Sequence, residues 1–219
     1  LRLQSPRVKR SKPMVLVDSS GFGVAGECWD SERQVRYGKG GLVMSVDGEE
    51  VVKQSEYFSH GGLIVWMGNN DLELVRGASE VRRRYLDFLA CQLDPLYRQA
   101  LSKYRRALKV RNLLLKDPRP RETEISAYSE VLITNGDYIM QVREKLVELL
   151  TPLVADAQTS VGKGNESFSM MYKPGGGMGM RQALELAFEK ERSMRQTVVG
   201  PHRDDIKFML NGLSACDYA

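Results

Sequence analysis

From about position 78 to 116, apolar side chains return every three or four residues, and no other pattern in the chain restricts its fold as much. Leu86, Leu89, Leu93, Leu96, Ala100 or Leu101, Tyr104 and Leu108 fall on one stripe, the spacing of a helix that buries one side. Asp94-Pro95 interrupts the stripe, with Asp94 placed as a cap and Pro95 at a first helical position. The spacing therefore predicts one helix over 78–92 and a second over 95–116, the latter roughly 33 Å long. Pro118 and Pro120 end it. A second stripe, Ile125, Tyr128, Leu132, Ile139, Val142, Leu146 and Leu149, predicts a partner helix over 122–150, with Gly136 on the same side where another helix can approach. Two long helices across a short Pro-bearing turn make an antiparallel hairpin.

The charge is concentrated on the hairpin. Arg76 to Arg121 carries thirteen Lys or Arg against four acids, a net of +9 in a chain whose total is +4. Such concentration marks a surface for a polyanion, although a solvated helix face gives the same count. The candidate phosphate contacts are Arg82, Arg83, Arg84, Arg98, Lys103, Arg105, Arg106, Lys109, Arg111 and Lys116. Arg suits phosphate through its planar fork of donors. Tyr97 and Tyr104 interleave with them but sit on the apolar stripe, so they read as core and not as base-stacking platforms. Binding of this kind is independent of base sequence and steeply salt-dependent.

The hairpin is flanked by shorter elements, and the whole reads as α+β. Residues 1–67 are β-like: Met14–Asp18 is a short apolar run, Gly21, Gly23 and Gly26 punctuate the next stretch, and Gln34–Tyr37 and Gly41–Val46 flank a Gly38-Lys39-Gly40 turn. Asp47-Gly48 is a second turn, before Glu50–Lys53, and Leu63–Met67 has the length of a buried strand. After a loop over 158–166, Ser167–Tyr172 reads as a strand, with Met170-Met171 as core candidates. Gly175-Gly176-Gly177 and Gly179 read as a flexible linker, and Met180–Met194 as a helix. Thr197–Gly200 and Ile206–Leu210 read as strands, with Asn211-Gly212 as a turn. Neither Gly-Lys pair completes a phosphate loop: Arg33 and Ala157 stand where the leading glycine belongs, and Gly40 and Gly164 where Ser or Thr belongs.

Composition excludes several classes. The chain is 42% apolar and 27% charged, ordinary for a folded domain. No apolar run approaches a membrane span. Cys28, Cys91 and Cys216 are odd in number and far apart, which suggests neither a disulfide framework nor a zinc site. A reducing, cytoplasmic setting is expected. The first residue is Leu1, and the chain reads as part of a longer protein.

The densest polar cluster is Gly200-Pro201-His202-Arg203-Asp204-Asp205. One His and two carboxylates could hold a metal or act as acid and base. Consecutive Asp204 and Asp205 point to opposite faces of an extended chain, however. A capped turn is the simpler reading, and neither a catalytic group nor a metal site is assigned. His60, ahead of two glycines, reads as a loop residue.

At these residues the chain resembles the RecF family of bacterial recombination-repair proteins. The resemblance is carried by Asp71-Leu72-Glu73-Leu74-Val75-Arg76-Gly77, Arg83-Arg84-Tyr85-Leu86-Asp87, Tyr104-Arg105 and Arg111-Asn112-Leu113-Leu114-Leu115-Lys116. It continues through Asn135-Gly136, Ile139 and Arg143 to Thr197 and Gly200–Asp205, then Phe208 and Asn211-Gly212. It covers roughly residues 63–212. The family's Phe-x-Pro-Glu before Asp-Leu is here Trp66-Met67-Gly68-Asn69-Asn70, its second-helix Trp is Tyr128, and Gln196 stands in place of a Gly.

The resemblance implies the β-rich lobe of an ABC-type ATPase with an inserted helical arm: residues 1–76 in the lobe, 77–157 in the arm, 158–219 returning to the lobe. It implies DNA binding by an ATP-dependent homodimer, with RecO and RecR as partners in loading RecA at single-strand/double-strand junctions. ATP and Mg2+ are implied as cofactors, their main motifs lying outside these residues, so weak ATPase activity is expected of the longer protein only. Asn70 and Asp71 fall near the implied nucleotide, and His202, Arg203, Asp204 and Asp205 would brace the junction of lobe and arm. Two rival readings remain: an arm of another SMC-like ATPase that docks a protein and has no DNA affinity of its own, and a metal-dependent phosphohydrolase built on His202, Asp204 and Asp205.

Overall fold

Three β hairpins in succession build the N-terminal part of the chain. The computed structural model describes residues 14–59, 68–119, 121–162, 166–177 and 179–218, and the chain divides into two units, Leu1–Val65 and Trp66–Ala219. In the first unit, β1 (Phe22–Cys28), β2 (Ser31–Gly38), β3 (Gly41–Val46) and β4 (Glu49–Glu50) form an antiparallel meander in sequence order. The Gly38–Gly41 and Asp47-Gly48 turns fall where expected, with Gly38 opposite Gly41 and Val46 opposite Glu49. The first hairpin departs from the sequence reading: Gly23 and Gly26 lie inside β1, and the turn is Trp29-Asp30, both residues left-handed at φ 55° and 58°. Glycines read as punctuation there because an edge strand tolerates them; the ladder needs only their backbone groups. Met14–Asp18 makes turns and no strand, and β4 ends at Glu50 instead of running to Lys53. A short helix, α1 (Gln54–Ser59), packs on β3, and its Tyr57 carbonyl accepts from the buried guanidinium of Arg33, which lies under the Trp29 and Tyr57 rings. The expected strand at Leu63–Met67 and His60 lie outside the described residues.

The second unit is the helical hairpin and a small sheet. A 3-10 turn over Asn69–Leu72 leads through α2 (Glu73–Arg76) into α3 (Ser79–Leu93), α4 (Pro95–Leu114) and α5 (Glu122–Val161). Asp94 caps α4 as expected: its Oδ1 accepts from the Leu96 amide at 2.8 Å, and Pro95 opens the helix. Arg111 faces Ser129 and Tyr97 faces Arg143, so α4 and α5 run antiparallel. The stripe is the core: Leu86, Leu101, Tyr104, Ile125, Leu132, Ile139 and Leu146 are buried. Leu93, Leu96 and Leu149 are not, being 56–66% exposed at the ends of the seam.

α5 continues to Val161, about 60 Å in all, where the periodicity predicts an end near 150 and a loop over 158–166. Pro152 does not stop it, because a proline removes one hydrogen bond and the turns on either side keep theirs. β5 (Phe168–Lys173), β6 (Asp205–Leu210) and β7 (Leu213–Ser214) then form an antiparallel sheet, with α6 (Met180–Met194) between the first two and α7 (Ala215–Tyr218) last. β5 alternates, so Met170 packs on the core while Met171 is 55% exposed. Thr197–Gly200, expected as a strand, is an irregular segment that threads between helices.

α6 comes close to α5 at Gly136, where an added Cβ would meet the Met180 side chain at 3.0 to 3.3 Å. Gly136→Val should lower stability by about 1–3 kcal/mol through overpacking and should separate α6 from α5, as read by urea denaturation with helical circular dichroism. An unchanged midpoint would show that Met180 yields freely.

Candidate nucleic-acid interface and its buried support

The Pro201–Arg203 turn is held by a guanidinium from another element. Arg143, on the buried side of α5, donates through Nη1 to the Asp204 Oδ2 at 2.7 Å and the Pro201 carbonyl at 2.6 Å. Its Nη2 reaches Asp87 Oδ1 on α3 at 2.7 Å, and its Nε reaches the Tyr97 hydroxyl on α4 at 3.0 Å. Tyr97 in turn donates to Asp87 Oδ1 at 2.5 Å. The Tyr172 hydroxyl donates to Asp204 Oδ2, and the Gly175 amide donates to Asp204 Oδ1 at 2.7 Å. Burial works against the Arg143 charge, but Tyr97, Asp87 and Asp204 outweigh it and hold the proton more firmly than usual. Burial, with Asp204 beside it, pushes the Tyr172 phenol well above its ordinary range. Three helices and a strand thus meet at one cation.

Around this centre the expected site residues separate into two groups. Asp204 and Asp205 do take different partners: Asp205 binds Arg82, Oδ1 to Nε at 2.7 Å and Oδ2 to Nη2 at 3.2 Å. Arg82 also donates to the Gly77 and Leu74 carbonyls, and at 8% exposed it is a strut and no phosphate contact. Arg111 is corrected likewise. It is 1% exposed, with Nη2 2.6 Å from Glu191 Oε2, Nη1 on Thr197 Oγ1 and Nε on Ser129 Oγ. Counting charge puts both among the contacts because a count cannot see which face a helix buries. Arg83 is half-buried, donating to Ser79 Oγ and the Asp204 carbonyl. Arg84 is exposed and paired with Glu80; Arg105 is exposed and paired with Asp87 at 2.8 Å. Lys103, Arg106, Lys109 and Lys116 are exposed and Arg98 is half-buried. Among the described residues none of these five has a carboxylate within ion-pair distance.

Asp71 caps its own 3-10 turn by accepting from the Gly68 amide at 2.5 Å. Asn70 lies in the same turn, and its side chain is outside the described residues. Arg203 is exposed, its Cβ against Gly175. The glycine run is therefore no linker. A Cβ on Gly175 would come within 2.5 Å of Arg203 Cβ and the Gly200 carbonyl, and Gly200, at φ 120°, would strike the Tyr104 hydroxyl at 2.5 Å. Reading the sequence for basic runs misses the centre itself. Its signal is charged residues at apolar-stripe positions: Asp87, Arg143 and Glu191 fall on the buried sides of their helices, where only paired charges persist.

Among the described residues no group of three His, Cys, Asp or Glu is placed to hold a metal ion. The strand–glycine loop–helix sequence from β5 to α6 has its helix N-terminus occupied by Asp137, whose Oδ1 accepts from the Met180 amide at 2.8 Å. The Gly38–Gly41 loop closes the β2–β3 hairpin. These two glycine segments do not fit the phosphates of ATP.

His202 is a structural base. Its Nδ1 lies 2.7 Å from the Tyr104 hydroxyl and its Nε2 3.1 Å from the Thr197 carbonyl. A carbonyl only accepts, so Nε2 carries the proton and Nδ1 accepts from the phenol. Burial pushes the imidazole down from 6.5 to about 4. Because the unfolded chain then binds the proton more readily, stability is full above pH 6.5 and is lost as pH falls toward 4. At pH 5 this group should cost about 2 kcal/mol relative to pH 7.5. Urea denaturation at both pH values should show that extra loss in the parent and not in His202→Gln; equal losses would contradict the buried neutral imidazole.

No family model matches the sequence. Individual relatives do. DNA replication and repair protein RecF of Thermosynechococcus vestitus is 34% identical over 192 residues, covering 82% of this chain and 50% of that protein. The RecF of Bacillus cytotoxicus is 33% identical over 175 residues, 74% of this chain and 47% of that protein. A solved structure described as the recombination mediator protein RecF-ATPrS in the RecFOR pathway superposes with a TM-score of 0.82 at 24% identity, over 98% of this chain and 62% of its own. That likeness carries the α+β fold with its helical arm. The chain spans about half the length of the curated relatives it matches, and within that span its sequence and its fold agree: it belongs to the RecF family.

Proposed function

We propose that this chain is the DNA-contacting part of a recombinational repair protein, and that the outer face of α4 is the contact. The observation that carries this reading is the set of uncompensated cations there. Arg98, Lys103, Arg106 and Lys109 lie opposite the buried face of α4, with Lys116 just past its end. Arg98 to Lys109 spans about 16 Å of helix, a length that faces roughly five phosphates of one strand at 3.4 Å each. Contacts of this type position a protein on duplex without reading bases. Arg84 and Arg105 extend the surface, Arg84 at the expense of a weak exposed pair and Arg105 at the expense of its pair with the buried Asp87.

In this reading the longer protein acts as an ATP-dependent dimer, with ATP and Mg2+ seated outside the described residues, and works with RecO and RecR to load RecA at DNA gaps. The names of the relatives support the repair role, and that of the solved structure supports the pathway. Among the described residues no helix is long and apolar enough to cross a membrane. The buried ion pairs beneath α4 support a rigid face.

The test is a salt titration of a short duplex against the chain and against Arg106→Glu/Lys109→Glu. The double variant should stay folded, bind less tightly at low salt, and flatten the log–log salt slope by about 1.8, two contacts' worth. Unchanged affinity and slope would remove α4 from the DNA account and favour a protein-docking arm.

A further inference from the structure

Between α3, α4 and the Pro201–Arg203 turn the surface opens into a cleft of about 250 Å³, walled by Arg83, Arg84, Arg105, Tyr104 and His202. Four guanidiniums reach it, Arg143 included, against the two carboxylates of Glu80 and Asp87. Arg143 is committed to Asp87 and Asp204, and Arg84 to Glu80. His202 adds neither charge nor a free lone pair, since Tyr104 and Thr197 use both ring nitrogens.

Arg83 differs from the others. It is half-buried, and both hydrogen bonds that position it leave from Nη1, to Ser79 Oγ and the Asp204 carbonyl, each at 2.7 Å. Among the described residues it has no carboxylate at ion-pair distance. Burial first, and then the nearby charge of Arg143, make its own charge harder to hold, and the carboxylates of Asp204, Asp205 and Glu80 offset this only in part. A fixed, under-compensated guanidinium on a cleft wall is a site short of an anion.

Arg105 stands opposite with 62% of its side chain exposed, bound to Asp87 Oδ2. Only the Arg105 end of this pair stands in water, the Asp87 end being 10% exposed. Asp87 would lose little if Arg105 turned away, because its Oδ1 keeps Arg143 and Tyr97. Arg105 is thus free to change partners. The neighbouring cations Arg106 and Lys109 favour a polyphosphate over an isolated carboxylate as the source of the new partner.

We propose that this cleft receives a single phosphate oxyanion, with Arg83 as its fixed donor and Arg105 as its mobile one. For its source the proposal rests on the DNA reading above: the phosphate is one of a duplex backbone lying along α4. Free phosphate presents the same chemistry without the duplex.

The test uses the whole 219-residue chain. Inorganic phosphate is titrated at constant ionic strength and followed by phosphorus NMR line width, beside the salt titration of a short duplex. Arg83→Gln is the direct variant. Arg105→Gln is the second, since an exposed position leaves the fold intact even where Arg83→Gln loosens the turn. Each should weaken phosphate binding roughly tenfold or more and flatten the duplex salt slope by about 0.9. Lys109→Gln should flatten the duplex slope and leave free-phosphate binding unchanged. Loss of phosphate binding with an unaltered duplex slope supports the cleft and assigns it to free phosphate. A chain that binds phosphate but no duplex also supports the cleft, and overturns only the DNA reading. If the parent binds no phosphate, or folded Arg105→Gln matches the parent in both titrations, the proposal is overturned.

Discussion

One buried guanidinium sets the geometry of the second unit. Arg143 is 2% exposed, and an ion taken out of water at that depth is tolerated only when its donors are filled and its charge is matched. It meets that condition with groups from α3, α4 and the turn before β6, while Tyr172 of β5 shares its Asp204 partner. Because a guanidinium is planar, its partners must lie in fixed directions. The cation therefore fixes where three helices stand relative to the paired strands β5 and β6. Apolar packing along the α4–α5 seam is strong but non-directional, and would by itself permit sliding that this centre forbids.

The second polar centre repeats the logic further along the hairpin. Arg111 pairs with Glu191 of α6, and Thr197 takes Arg111 on its hydroxyl while its own amide and hydroxyl go to Asn112. The irregular segment between α6 and β6 is thus tied at Thr197 to α4 and at Asp204 to α5. Gly200 lies between the ties, with no room for a side chain beside Tyr104. The Gly-Pro-His-Arg-Asp-Asp run is consequently a fastening. Its His is a neutral acceptor, its first Asp a buried counter-ion and its second Asp a clamp on Arg82. Apart from the exposed Arg203, its chemistry is spent inward.

How much of this is legible in the sequence depends on the range of the interactions. Helices α3, α4 and α6, the Asp94 cap and the glycine-bearing turns depend on neighbours within a few residues, and their spacing shows them. The buried pairs join residues 56 and 61 positions apart for Arg143 with Asp87 and Asp204, and no local pattern encodes such a match. Arg82 and Arg111 pass for surface contacts for the same reason: a basic run looks alike whether its cations face solvent or carboxylates from β6 and α6. The Trp29-Asp30 turn escapes notice because Trp29 gives no sign of a left-handed conformation and Asp30 stands without the Gly that usually accompanies it in such a turn. Gly175–Gly177 looks slack because glycine serves close approach and flexibility equally, and only the packed neighbours tell them apart.

The measurement that bears most directly on the role of Arg143 is a double-mutant cycle between Arg143→Met and Asp204→Asn, read by urea denaturation. Each single change should cost about 3–5 kcal/mol by leaving the other charge or its partners unmatched. The double variant should cost clearly less than their sum, with a coupling of about 1–3 kcal/mol. Additive losses, or single losses under about 1 kcal/mol, would show that the hairpin is held to the sheet by apolar packing alone.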